Sequence, residues 1–165
     1  MTTGVVWDGA ADLPTVLVFD PAPPSGPAEL PPAWRALTDR RQVVWCRFAV
    51  DRALAEADRL LGDPDAFGRP IDAVVHGDPS DVLDVLRRHA GPLRAVVVVD
   101  AEPGAVWEVP GVRVVTVGRS HTPPRAITGD AVSADVTGAL DALDADDLGE
   151  AVGPERQQER TDTDE

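Results

Sequence analysis

Lysine, asparagine and tyrosine are absent from this 165-residue chain, and cysteine occurs once, at Cys46. A single thiol excludes an internal disulfide framework and a cysteine-built zinc cluster. Without lysine there is no phosphate-binding G-x-x-x-x-G-K-[ST], and no G-x-G-x-x-G occurs either. Basic residues are scarce: 15, all of them arginine, against 29 acidic ones, for a net charge of -14. That balance opposes a phosphate backbone and an anionic bilayer, so neither nucleic acid nor membrane is an expected partner. The exclusive use of arginine fits a GC-rich coding sequence and carries little functional information by itself. No apolar run approaches the roughly 20 residues of a membrane span. The opening MTTGVVWDGAADLP has no basic segment leading into a long apolar one, so no signal peptide is expected. His76, His89 and His121 lack metal-ligand spacing. These absences leave a soluble, acidic, cytoplasmic domain with no cofactor and no metal as the expectation.

What is present is a series of short valine-rich runs bounded by Pro, Gly or Asp: Thr15–Phe19, Val43–Phe48, Ile71–His76, Ala95–Val99 and Val112–Val117. Each reads as a strand. The run AVVVV does not alternate, as expected of a parallel strand covered by helices on both faces. A further candidate, Val5–Trp7, precedes Thr15–Phe19 across an Asp8-Gly9 turn signal and predicts an antiparallel edge hairpin with it. Helical spacing occurs between the runs, at Pro31–Arg40 (Trp34, Leu37), Asp51–Leu61 (Leu54, Ala57, Leu61), Ser80–Ala90 (Val82, Leu83, Leu86) and Ala131–Leu143 (Val132, Val136, Leu140, Leu143). Ser80 suits a helix N-cap, and Asp81 and Asp84 suit a first turn. Alternating strands and helices predict one α/β domain over residues 1–148. Its three layers would be a mainly parallel sheet of five or six strands with helices on both faces. Residues 149–165 form a polar acidic tail without periodicity, expected to stay disordered.

Two stretches resemble the α/β-hydrolase superfamily. Pro14–Phe48 looks like its opening strand, oxyanion loop, helix and strand, with Trp34 and Leu37 matching a Trp-x-x-Leu pattern. Asp72–Pro103 looks like the nucleophile strand, elbow, helix and next strand, with His89, Arg94 and Ala95–Asp100 in register. PGVRVVTVGRSHTPP resembles the late strand and the acid-bearing loop. The resemblance implies a small hydrolase-like fold without a lid, because the Asp100–Val112 connection is too short to hold one.

The motif that carries the chemistry departs from the family pattern. A G-x-S-x-G elbow throws its nucleophile off a sharp strand-to-helix turn. Here the turn reads HGDPSD. One alignment places Asp78 at the nucleophile position; a one-residue shift brings Gly77 there, and an ungapped count back from Asp100 reaches His76. If Asp78 is the nucleophile, the following residue is Pro79, which has no N–H to give an oxyanion hole. A lost donor costs about 3–4 kcal/mol of transition-state stabilisation. Asp20-Pro21 stands where hydrolases show His-Gly, and Ile127–Ser133 has no histidine. A rearranged set of Asp78, His121 and either Asp100 or Asp130 is the alternative catalytic arrangement.

Bland roles compete with these. HGDPSD is ordinary turn chemistry, His89 suits a helix C-terminus, and Cys46 in an apolar strand reads as buried and inert. Trp107 is the tryptophan expected to be exposed. The reading that follows is a divergent, non-catalytic α/β-hydrolase-like module that binds a small ligand or a protein partner. Its site would lie at the carboxyl ends of the strands, with Asp20, His76, Ser80 and Asp100 as ligand-binding residues. The alternative is an ester or thioester hydrolase using Asp78 and His121.

Overall fold

The structure, a computed structural model, describes residues 4–22, 29–76, 80–101, 108–118 and 125–158, with side chains described up to residue 149. Six strands form one sheet: β1 (Val5–Asp8), β2 (Thr15–Asp20), β3 (Gln42–Arg47), β4 (Ile71–His76), β5 (Leu93–Val99) and β6 (Arg113–Val117). A 3-10 segment, Pro32–Asp39, links β2 to β3. Helix α1 (Ala53–Leu61) precedes β4, α2 (Ser80–Arg88) precedes β5, and α3 (Asp130–Gln158) follows β6. The expected element order is found, with boundaries moved by one or two residues at most strands.

The order across the sheet is β1-β3-β2-β4-β5-β6. All neighbours are parallel except β1, which runs antiparallel to β3 with Val5 opposite Cys46 and Asp8 opposite Val43. The predicted hairpin between Val5–Trp7 and Thr15–Phe19 is therefore corrected: β1 is an antiparallel edge strand, but its partner is β3. The reason lies in β2, whose six residues are all buried. Both edges of that strand are taken by parallel neighbours, which leaves no place for a hairpin mate.

Period-two alternation splits the core into two layers. Leu17, Phe19, Val44, Cys46, Ala73, Val75, Val96 and Val98 pack on one face against Ala57, Leu60 and Leu61 of α1 and Val82, Val85 and Leu86 of α2. Val16, Val18, Val43, Trp45, Val74 and Val97 pack on the other against Trp34, Leu37 and the α3 stripe Val132, Val136, Leu140 and Leu143. Every residue of that predicted stripe is buried. The non-alternating AVVVV run is buried throughout because both faces are covered. The backbone of α3 continues to Gln158, past Gly149 where the polar tail begins; residues 159–165 lie outside the described residues. Among the described residues no helix is long and apolar enough to cross a membrane.

The helices and strands are tied at the amino-terminal end of the sheet by charge. Asp72, fully buried in β4, accepts from Arg94 of β5 through Nε at 3.0 Å and through the terminal nitrogen at 2.6 Å. Arg94 also reaches Asp144 at 2.8 Å and Asp147 at 2.7 Å on α3. Buried Arg41 joins Asp144 as well and stands 4.0 Å from Asp72. An acidic side chain inside a covered strand needs such partners, because an unpaired buried carboxylate costs several kcal/mol.

Candidate functional site at the carboxyl ends of β2, β4 and β5

The chain leaves β2 towards β3 on one side and leaves β4 towards β5 on the other. The two connections part at the carboxyl ends of β2 and β4, opening a crevice between them. In parallel α/β sheets this reversal is where ligands bind. A cavity of about 180 Å³ occupies it, lined by Asp20, Pro21, Ala22, His76, Ala126, Ile127 and Thr128.

Asp20 ends β2 and is almost wholly buried. Its Oδ1 accepts from the N–H of Ala22 at 2.9 Å, and its Oδ2 accepts from Trp45 Nε1 at 3.1 Å. The carboxylate thus shapes the turn after β2 and anchors a core indole. Trp45 in turn meets Trp34 edge-on at 5.2 Å, and Trp34 Nε1 donates to the carbonyl of Ile127 at 2.9 Å. Both faces of the cavity are in this way pinned by buried tryptophans.

Asp100 follows β5 directly and is fully buried. Its oxygens accept from the Arg125 N–H, from Arg125 Nε and from an Arg125 terminal nitrogen, each at 2.9 Å. Arg125 also bonds Asp135 of α3 at 2.9 Å. Hydrogen bonds to Asp100 first, and to Asp135 second, hold the guanidinium protonated well above its ordinary range. Asp100 adopts φ +47, a left-handed conformation that aspartate accepts more readily than most residues. Gly118 lies against this lock: a Cβ there would stand 2.1 Å from an Asp100 oxygen and 2.4 Å from Arg125, at φ +74. Only glycine leaves room for the pair.

His76 ends β4, half-buried, and its Nε2 bonds the carbonyl oxygen of Arg125. The Arg125 backbone is thus held on one side by Asp100 and on the other by His76, and it carries Ala126–Thr128 over the crevice. Ser80 is the first residue of α2 and is exposed. The structure does not place it on the cavity wall. Asp20 and His76 do line the cavity, while Asp100 supports it through Arg125. Asp78, Gly77, Pro79 and His121, on which the catalytic alternative depends, lie outside the described residues, as does Trp107. Asp130 opens α3 and faces solvent.

The chain matches no protein-family model, no curated protein and no solved structure.

The remaining reactive groups stand apart from this crevice. Cys46 is fully buried, donates weakly to the Ala53 carbonyl at 3.5 Å, and its thiol is pushed up to about 12 by burial and, less, by the Asp20 charge. It is inert as expected. His89 follows α2 at the opposite end of the sheet. Its Nε2 bonds Asp58 at 2.6 Å, and Arg88 bonds the same carboxylate at 2.6 Å. Arg125 and Ile127 were not marked by the sequence. No motif links Asp100 to a residue 25 positions later, although a carboxylate closing an apolar strand does call for a cationic partner. Among the described residues no three of His, Cys, Asp and Glu cluster as metal ligands.

Proposed function

We propose that the chain is a divergent α/β-hydrolase-like module that binds a small, largely apolar molecule in the β2/β4 crevice without turning it over. The observation that carries this reading is the cavity itself, sited where the sheet connections diverge. Its volume of about 180 Å³ compares with the ~150 Å³ at which an apolar cavity takes benzene. It falls below the ~300–1,000 Å³ of pockets for drug-sized ligands. Pro21, Ala22, Ala126 and Ile127 supply an apolar wall.

Asp20 favours binding over catalysis, because both of its oxygens hold the fold. A carboxylate at Asp20 also repels a developing oxyanion. The five parallel strands with a single antiparallel edge strand fit the superfamily resemblance without bearing on activity.

The test is an amide chemical-shift titration of the full chain with benzyl alcohol, run beside hydrolysis of a panel of activated esters and thioesters. Amide shifts confined to residues 20, 22, 76 and 126–128, removed in Ala22→Phe, support the reading. Ester turnover that is lost in both Asp78→Ala and His121→Ala would replace it with the hydrolase alternative.

A further inference from the structure

Among the described residues three polar side chains line the β2/β4 cavity: Asp20, His76 and the exposed Thr128. A carbonyl oxygen only accepts hydrogen bonds, so the contact between His76 Nε2 and the Arg125 carbonyl places the ring proton on Nε2. In the uncharged ring this tautomer leaves the lone pair on Nδ1. Among the described residues no other hydrogen bond involves this side chain. The ring is also fixed in position. Arg125, whose carbonyl accepts this bond, is itself held by the Asp100 carboxylate through its backbone N–H, and its guanidinium is held by Asp100 and Asp135.

Asp20 has both oxygens engaged by Ala22 and Trp45. Its charge disfavours an anionic guest. The crevice is therefore lined by apolar residues, a carboxylate, the Thr128 hydroxyl and the His76 ring.

We infer that His76 is the polar anchor of this cavity and that its Nδ1 accepts a hydrogen bond from a neutral ligand carrying one O–H or N–H donor on a small apolar body. Alcohols, phenols and primary amides belong to that class; carboxylates do not. The inference rests on the binding reading above and adds the ligand's polarity to it.

The experiment is a cycle of two ligands and two proteins. Dissociation constants of benzyl alcohol and of toluene are measured by amide shifts for the wild type and for His76→Phe. Comparing ratios cancels the different hydrophobicity of the ligands. Toluene serves as the check that the substituted cavity is intact. The preference for the alcohol over toluene is expected to fall roughly 3- to 10-fold in His76→Phe, the range of one neutral hydrogen bond. Benzoate is expected to bind more weakly than benzyl alcohol to the wild type.

A second measurement does not depend on that variant folding. The chain has three histidines, so imidazole ¹⁵N spectra resolve few rings. The His76 Nδ1 resonance should be that of an unprotonated nitrogen and should move with benzyl alcohol but not with toluene. An unchanged ratio, or a protonated Nδ1 in the free protein, overturns the anchor while leaving the cavity as a binding site. Failure of both ligands to bind overturns the anchor and the binding reading together.

Discussion

Asp100 shows how much one side chain governs here. It adopts a left-handed backbone, is fully buried, and forms three hydrogen bonds with Arg125. Arg125→Ala leaves that charge with the backbone N–H but without the guanidinium. Stripping a buried carboxylate of its partner costs about 3–5 kcal/mol, and the surviving N–H keeps this case towards the lower end. Chemical denaturation should show the loss. Gly118→Ala should reproduce much of it, because the added methyl displaces the same pair.

A second residue-scale prediction concerns Cys46. Its folded thiol ionises only near pH 12, whereas the ordinary value is 9.0. Between these values the unfolded chain has lost the proton and the folded chain retains it. Stability is thus complete below pH 9 and falls as pH rises towards 12, with a slope near 1.4 kcal/mol per pH unit. Lysine and tyrosine, the other side chains that titrate in this window, are absent. The alkaline limb of the stability curve should therefore report one thiol, and Cys46→Ala should flatten it in denaturation curves taken at pH 8 to 12.

At the scale of elements, α3 is held twice, by an apolar stripe and by the arginines of the sheet. Leu140 is fully buried within the stripe. Leu140→Ala should cost about 2–5 kcal/mol, according to how far the cavity collapses. The charges are unequal in value. Asp147 is more than half exposed, so Asp147→Ala should change stability by no more than about 1 kcal/mol. Among the described residues, Arg94→Ala leaves fully buried Asp72 with only Arg41, 4.0 Å away, as an ionic partner. That change should be several times more damaging than the loss of Asp147, and a pair of urea titrations decides it.

These elements also show what was legible beforehand. The α3 stripe, the strand series and the covered AVVVV run follow from spacing alone, because burial imposes period 3.6 or period 2 on the sequence. The pairing of β1 does not. An Asp-Gly turn signal is local, whereas the mate of an edge strand is set by which strand still has a free edge after the parallel core has assembled. Asp72 inside a valine-rich strand was not marked as a buried acid, and nothing local identifies Arg94, 22 residues on, as its partner.

At the scale of the molecule, the strand order locates the crevice, and strand order follows from all the crossovers together. The sequence named Asp20 and His76 as residues at strand ends, and both line the cavity. It also named Asp100, which acts one step away through Arg125. It offered no signal for Ala126 and Ile127, because apolar loop residues look alike whether they roof a cavity or face solvent. Ser80 was named as a helix N-cap and is the first residue within α2, but a place at a helix start does not by itself put a side chain on the cavity wall.

The hydrogen bond from Trp45 to Asp20 joins the cavity to a chromophore. With no tyrosine in the chain, ultraviolet emission comes from tryptophan alone. One indole is bonded to a carboxylate on the cavity wall and stacked edge-on against another, whose own N–H holds the opposite wall. A guest that draws on Asp20 or displaces Ile127 disturbs both rings of this pair. The protein thus carries its own optical readout of occupancy, and a ligand screen needs no label.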